Sequence, residues 1–335
     1  MREIKVKFIG FYAGFKDDDN IFINSLRKNH RVVLSDEPDY LFYSVFLPND
    51  FDFAMYDCVR IFYSGENASP DFNYCDYAIS FDEITYNDRY LRYPVFIDDD
   101  YAEKARHKHE NVTAETYENK KRFCNFVVGN GDSMPQRIEL FNKVNEYKQV
   151  DSSGTFMNNT GFVTDTYEKK NALQSECRFS ITCESVSQPG FVTEKILHAF
   201  AAQTIPIYYG DCHVTNIFNP AAFVNVHDYA SFDEAVKAVD EIERNPEKWM
   251  RMMNRPAFID QDYIEKMRRR LDAFLENIVS QDYSLAFRRP LKYHAARYTR
   301  AMKEYVTNRQ SVRYQRFMRC RDIFFVRLAL KIFGK

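Results

Sequence analysis

One stretch of the chain concentrates residues whose types and order could do chemistry. It runs Phe179-Ser-Ile-Thr-Cys-Glu-Ser-Val-Ser-Gln-Pro-Gly-Phe-Val-Thr-Glu-Lys-Ile-Leu-His-Ala-Phe and continues into Thr204-Ile-Pro-Ile-Tyr-Tyr-Gly-Asp. It reads as a buried strand, a Pro-Gly turn, and a helix opening near Thr193 with Glu194 and Lys195 in its first turn. The free amides and the positive dipole end of a helix N-terminus form a ready anion site. Lys195 adds a full positive charge where a phosphate would sit, and the Glu194 carboxylate is suited to accept hydrogen bonds from vicinal ribose hydroxyls. An ordinary helix start accounts equally for Thr193 and Glu194, because hydroxyl caps and first-turn acids are favoured there. It does not account for Lys195, which opposes the dipole. The residues of this segment leave both readings open.

Such a segment needs elements to hold it, and the rest of the chain supplies them. At 335 residues with 45% hydrophobic side chains, two domains are expected. Apolar or aromatic runs at Ile4–Tyr12, Arg31–Leu34, Tyr40–Phe46, Cys58–Tyr63 and Tyr77–Phe81, with a helical stretch at Asn20–Lys28, describe a first α/β domain. Tyr101–Lys121 is polar and reads as an interdomain linker. A second α/β series follows: strand Phe123–Val128, helix Pro135–Tyr147, strand Phe179–Cys183, helix Val192–Ala202, strands Thr204–Tyr209 and Ala222–Val226, then helices Phe232–Arg244 and Gln261–Ile278. The expected boundaries are 1–118, 119–280 and a basic helical tail, 281–335.

Charge is unevenly spread. Ala286 to Lys335 carries 14 Lys/Arg against 2 Asp/Glu, a local charge of +12, so the first 285 residues carry −14 of the net −2. In the tail Arg309, Arg313, Arg316, Arg327, Lys331 and Lys335 recur at helical spacing beside Phe317, Ile323, Phe324, Leu328 and Ile332. A basic amphipathic helix of this kind is expected to lie on an anionic membrane surface; docking on the acidic body of the same chain or of a second subunit is the competing reading. Seven scattered cysteines without a Cys-x-x-Cys pair argue against a disulfide framework and a zinc site. The first residues alternate like a strand and not like a signal peptide, and no run of 18 apolar residues occurs. A reducing, cytoplasmic setting at the inner face of a membrane is expected. The 30 Phe and 23 Tyr fit sugar binding as well as a simple compositional bias.

Three blocks, in order and spacing, resemble the α1,3/α1,4-fucosyltransferase family in its bacterial, Lewis-antigen type. The Phe179 to Asp211 segment resembles the family's donor-binding signature. Arg122-Phe-Cys-Asn-Phe-Val-Val-Gly-Asn, with Pro135-Gln-Arg, Tyr147-Lys-Gln-Val-Asp-Ser-Ser-Gly and Asn158-Asn-Thr-Gly, resembles its first donor-domain block. Phe62-Tyr-Ser-Gly-Glu-Asn-Ala-Ser-Pro-Asp-Phe, with Cys75-Asp-Tyr-Ala-Ile-Ser-Phe-Asp and Arg89-Tyr-Leu-Arg-Tyr-Pro, resembles its acceptor-side block. The resemblance implies a GT-B-type fold, two Rossmann-like α/β domains facing a central cleft. It implies inverting transfer of L-fucose from GDP-fucose to a hydroxyl, O3 of GlcNAc in an N-acetyllactosamine-type glycan, in lipopolysaccharide or capsule. It places the general base at Glu66, the diphosphate-binding cations at Arg137 and Lys195, and the ribose-binding carboxylate at Glu194. Glu184, Ser185 and Phe191 fall among the donor contacts. Two positions depart from the family: Cys183-Glu184-Ser185 replaces a usual Phe-Glu-Asn, and Phe191 replaces a common Tyr.

No cofactor and no metal are expected, because two fixed cations can carry the leaving phosphate. The partners expected are GDP-fucose, an oligosaccharide acceptor and the membrane surface, with no nucleic acid; oligomerisation is left open. Asp17-Asp18-Asp19 and Asp98-Asp99-Asp100 resemble metal-binding acidic pairs but read as solvated loop charges. The alternatives are a GT-B transferase using another sugar nucleotide, or a non-catalytic protein binding glycan or nucleic acid.

Overall fold

The computed structural model describes residues 2–48, 51–110, 112–311, 316 and 319. Six strands come first: β1 (Glu3–Ile9), β2 (Arg31–Leu34), β3 (Tyr40–Tyr43), β4 (Val59–Tyr63), β5 (Tyr77–Ser80) and β6 (Tyr90–Arg92), ordered β2-β1-β3-β4-β5-β6. The pairs from β2 through β5 are parallel, in a register that sets Phe8 beside Phe42 and Phe42 beside Ile61. The alternation in β1 turns Ile4, Val6 and Phe8 inward, whereas every residue of β3 and β5 is buried. Parallel strands covered on both faces read as continuous apolar runs, which is why the first domain was legible. The aromatic surplus fills this core: Phe42 lies 5.0 Å from both Phe8 and Phe22, ring to ring.

The second sheet contains β7 (Arg122–Phe126), β8 (Val150–Ser152), β9 (Cys177–Cys183), β10 (Ile205–Tyr209) and β11 (Val224–Asn225), ordered β11-β10-β9-β7-β8 and parallel throughout. Its helices pack Leu140, Val144, Val239 and Trp249 onto Phe126, Phe179 and Ile207. The single Trp is fully buried and donates its indole N–H to the Arg178 carbonyl at 3.1 Å. With all strands parallel, the loops after β7, β8, β9 and β10 leave from one edge of the sheet, where α/β folds bind ligands.

Two compact units result. One comprises Ser80–Thr85 and Arg92–Leu271; the other comprises Tyr86–Leu91 with the described residues of Met1–Ile79 and Asp272–Lys335. These divisions fall at different residues from the expected 118/119 and 280/281, for physical reasons. The stretch read as a linker holds helices Ala102–Arg106 and Ala114–Asn119 and is packed into the second unit. Lys108 is 1% exposed and donates to the carbonyls of Met252 and Met253; Lys120 is 3% exposed and donates to that of Ala202. Long aliphatic stems let polar sequence be interior, a pattern hydropathy does not reveal.

The beginning of the expected tail belongs to the first unit. Buried Asp76 receives the main-chain N–H groups of Arg288 and Arg289 and pairs with the Arg289 guanidinium. Helix His294–Gln310 buries Met302 and Val306, and Tyr305 meets Phe51 edge to face. The competing reading, docking of the tail on its own chain, holds for this part. Of the proposed basic stripe, Arg309 bonds to Tyr305 and Arg316 is exposed; Arg313, Arg327, Lys331 and Lys335 lie outside the described residues, as does Cys320. Among the described residues no helix is long and apolar enough to cross a membrane. The other six cysteines are free thiols.

The buried lysines make a prediction about stability. Burial pulls the pKa of Lys108 and of Lys120 down to about 7 from 10.5. Below pH 7 both states carry the charge, and the fold bears the full cost of burying it. Between about 7 and 10.5 the unfolded chain holds more protons, so stability rises with pH. Burial also pushes the Cys75, Cys177 and Cys183 thiols up to about 12 from 9.0, which reverses the trend once unfolded thiols ionise. Urea midpoints are therefore expected to rise from pH 7 towards pH 9, and Lys108→Met should flatten the rise. A midpoint falling across that interval would contradict it.

Candidate active site

The end of β9 organises the site. One residue beyond the strand, Glu184 still donates its main-chain N–H to the Tyr209 carbonyl at 2.9 Å, which fixes it in the sheet with no exposed surface. Gly210 permits this: a Cβ there would lie 2.5 Å from Glu184 Cγ and 2.8 Å from the Tyr208 hydroxyl. The chain then turns through Gly190, whose φ of +84° suits glycine and whose Cβ position would meet the Phe81 carbonyl at 2.5 Å. Phe191, 3% exposed, packs edge to face on Phe81 with centroids 5.0 Å apart. Its ring is therefore held in the interior by this pair.

Helix Glu194–Ala201 opens after Thr193 as the sequence predicted. Its N-terminus is partly occupied from within. Glu184 Oε1 accepts the Thr193 N–H at 2.9 Å, and Oε2 accepts the Thr193 hydroxyl at 2.7 Å and lies 3.0 Å from Lys195 Nζ. Lys195 also donates to Thr193 Oγ1 at 2.8 Å. Both oxygens of Glu184 are thus spent on holding the helix start and its lysine. Arg137, on helix Pro135–Tyr147 and 2% exposed, donates Nε–H to the Glu184 carbonyl at 3.1 Å. The Ser185 carbonyl accepts the Met134 N–H at 2.8 Å and ties the same helix to the strand end. Two cations from separate elements are in this way fixed on one buried residue.

The electrostatics follow from that packing. Burial works against the charge of Lys195, yet Glu184 and Glu194 outweigh it and raise its pKa above the usual lysine value. Burial likewise opposes ionisation of Glu194, but the neighbouring ammonium groups of Lys195 and Lys170 hold its carboxyl down at about 2. Both groups are charged at neutral pH.

The neighbouring loops explain the other donor-side blocks. Gly154, after β8, passes so close to β7's continuation that a Cβ would sit 1.9 Å from the Val128 carbonyl. Asn159 clamps this loop, accepting from the Ser152 N–H and donating to the Val150 carbonyl, both at 2.8 Å; Asn158 donates to the Phe162 carbonyl at 2.7 Å. The Asn-Asn pair shapes the loop through these side-chain bonds to its main chain.

Glu66 belongs to the first unit, just past the end of β4. Its carbonyl accepts from Ser64 Oγ at 2.8 Å and from the Ala68 N–H at 2.7 Å, and its own N–H donates to Ser64 Oγ at 3.1 Å, a tight turn that fixes the main chain. The side chain is exposed, and its carboxylate makes no hydrogen bond or ion pair among the described residues.

Sequence reasoning passed over Lys170 and His198 and read Asp99 only as a solvated loop charge; Lys170 lies within electrostatic reach of Glu194 and Lys195, and His198 links it to Asp99. The Asp98–Asp100 run is not simply solvated: Asp98 accepts the Tyr93 hydroxyl at 2.6 Å and Asp99 meets His198 Nε2 at 2.9 Å. A triple acidic run hides this, because only the fold tells which carboxylate faces inward. Among the described residues, Asp211, Cys212 and His213 form the one group with three possible metal ligands. There His213 Nδ1 is already hydrogen-bonded to Glu83 at 2.6 Å.

The two parallel α/β sheets describe a two-domain fold of the GT-B type. Residues 6–98 match the profile of the α-(1,3)-fucosyltransferase FucT N-terminal domain, and residues 117–283 match that of the glycosyltransferase family 10 (fucosyltransferase) C-terminal region. The chain belongs to the α-1,3-fucosyltransferase family. It is 35% identical over 224 residues to the α-(1,3)-fucosyltransferase FucT of Helicobacter pylori, covering 58% of this chain and 46% of that protein. It is 26% identical over 140 residues to the bovine (Bos taurus) 4-galactosyl-N-acetylglucosaminide 3-α-L-fucosyltransferase 9, covering 41% and 37%. The chain thus spans less than half the length of these curated relatives. A crystal structure of an α1,3-fucosyltransferase with GDP-fucose superposes with a TM-score of 0.66 at 26% identity, over 84% of this chain and 92% of that one. One without a named ligand gives 0.65 at 25%, over 82% and 90%.

Proposed function

We propose that this chain transfers L-fucose from GDP-fucose to a sugar hydroxyl, O3 of GlcNAc in an N-acetyllactosamine-type glycan, with inversion at the anomeric carbon. The observation that carries the reading is the fixing of Lys195 and Arg137 on the buried Glu184 at the start of a helix. The acceptor oxygen forms a bond to fucose C1 as the bond from C1 to the phosphate oxygen breaks, and GDP leaves with the electron pair. Negative charge grows on the leaving phosphate, where Arg137 and Lys195 stabilise it; each such group is worth ~10²-fold or more in rate. Glu194, ionised at neutral pH, accepts from the ribose hydroxyls. Glu66 takes the proton of the attacking hydroxyl. With two cations serving the phosphate, no metal is needed.

A donor panel of GDP-fucose, GDP-mannose and UDP-galactose, with the product's linkage and anomeric configuration read by NMR, tests this reading. Turnover is expected with GDP-fucose alone, unchanged by EDTA. Turnover only with another donor, or chelator-dependent loss restored by manganese, would overturn it.

A further inference from the structure

Near Lys195 lies a second lysine that has no ion-pair partner in contact with it among the described residues. Lys170 sits in the first turns of helix Tyr167–Glu176 and is half-buried. Its ammonium lies 3.0 Å from His198 Nδ1. Among the described residues it makes no other hydrogen bond and no ion pair, unlike Lys195, whose charge faces Glu184. An ammonium can only donate, so Nδ1 must be the unprotonated nitrogen of His198. The imidazole proton then resides on Nε2, which donates to Asp99 Oδ2 at 2.9 Å. His198 is 2% exposed, and the edges of Tyr101 and Tyr167 close on it, each with centroids 5.1 Å away. The ring cannot rotate without losing its bonds to Lys170 and Asp99.

The result is a built tether, Asp99 to His198 to Lys170, ending in a cation with two uncommitted N–H donors. That cation is within electrostatic reach of the carboxylates of Glu194, Asp99 and Glu184, which favour its charge, and of Lys195, which opposes it. In formal charge Lys170, Lys195 and Arg137 balance Glu184, Glu194 and Asp99, but among the described residues no carboxylate is in hydrogen-bond or ion-pair contact with the Lys170 ammonium. Free donors on a half-buried cation are what a phosphate oxygen pairs with.

We propose that Lys170 is a third cation of the nucleotide site, binding a phosphate of the nucleoside diphosphate, and that His198 and Asp99 are positioning residues that aim it. This rests on the nucleotide reading above and extends it to residues on a different helix.

The test measures GDP and guanosine affinity by calorimetry on the wild type and on Lys170→Met, Lys170→Arg, His198→Leu, His198→Asn and Asp99→Asn, with melting temperatures alongside. Lys170→Met is expected to weaken GDP at least about tenfold, the worth of one charge-assisted hydrogen bond, and to leave guanosine within twofold. Lys170→Arg should recover part of the loss. His198→Asn, which keeps an acceptor near the Nδ1 position, should bind GDP more tightly than His198→Leu, and Asp99→Asn should fall between Lys170→Met and wild type. A folded Lys170→Met that binds GDP within twofold of wild type would overturn the proposal and leave the nucleotide site standing. Equal losses for GDP and guanosine would make Lys170 structural and overturn it too. A wild type that binds no GDP would bring down the nucleotide reading itself.

Discussion

Glu66→Gln is expected to lower fucosyl transfer by ~10²-fold or more while leaving GDP-fucose affinity within twofold. The substitution keeps size and hydrogen-bonding capacity but removes the basic lone pair that takes the acceptor proton. The turn that holds residue 66 is made by main-chain atoms and Ser64, so it should persist in the variant. An exposed carboxylate with no ion-pair partner among the described residues has no structural duty to lose, and melting temperature should not change. Single-turnover rates and donor titration separate the effects. A variant retaining more than about a tenth of wild-type turnover would show that another group is the base.

Glu184→Ala is expected to cost ~3–5 kcal/mol of stability, the usual loss when one member of a buried ion pair is removed. Three bonds disappear together: to the Thr193 N–H, to the Thr193 hydroxyl and to Lys195. The helix start loses its internal anion, and the lysine charge is left facing a low-dielectric wall. Glu184→Gln keeps an acceptor for Thr193 and should cost clearly less, while still weakening GDP because Lys195 loses its orientation. Urea unfolding with parallel GDP titration checks both. A loss below about 1 kcal/mol for Glu184→Ala would mean that Lys195 finds water or another partner, and that the pair does not organise the site.

These two residues also show how far linear order reaches. Alternation in β1, the unbroken apolar runs of β3, β4 and β5, and the strand-turn-helix from Phe179 to Ala201 are local properties, and side-chain period and turn chemistry suffice to read them. Glu194 and Lys195 were legible for the same reason: they occupy the first turn of a helix whose start the sequence marks. Glu184 was legible as a member of the motif, but not as its keystone. That role depends on Tyr209, Gly210 and Arg137, which are close to it only once β9 and β10 pair and helix Pro135–Tyr147 docks.

Polar residues with long-range partners were the least legible. Lys108 and Lys120 look like linker charges until their ammonium groups are found against carbonyls of Met252, Met253 and Ala202. Arg288 and Arg289 look like the start of a basic tail until Asp76, 212 positions from Arg288, is found beneath them. Lys170, His198 and Asp99 are separated by 28 and 99 residues along the chain, and no spacing rule connects them. Periodicity reports which face of an element is apolar; it carries no information about which distant acceptor a buried cation will meet. Residue types and local order therefore settled the α/β class, the family and the first-turn charges, whereas tertiary packing alone decided which charges are paired, which have no direct partner, and where the two units divide.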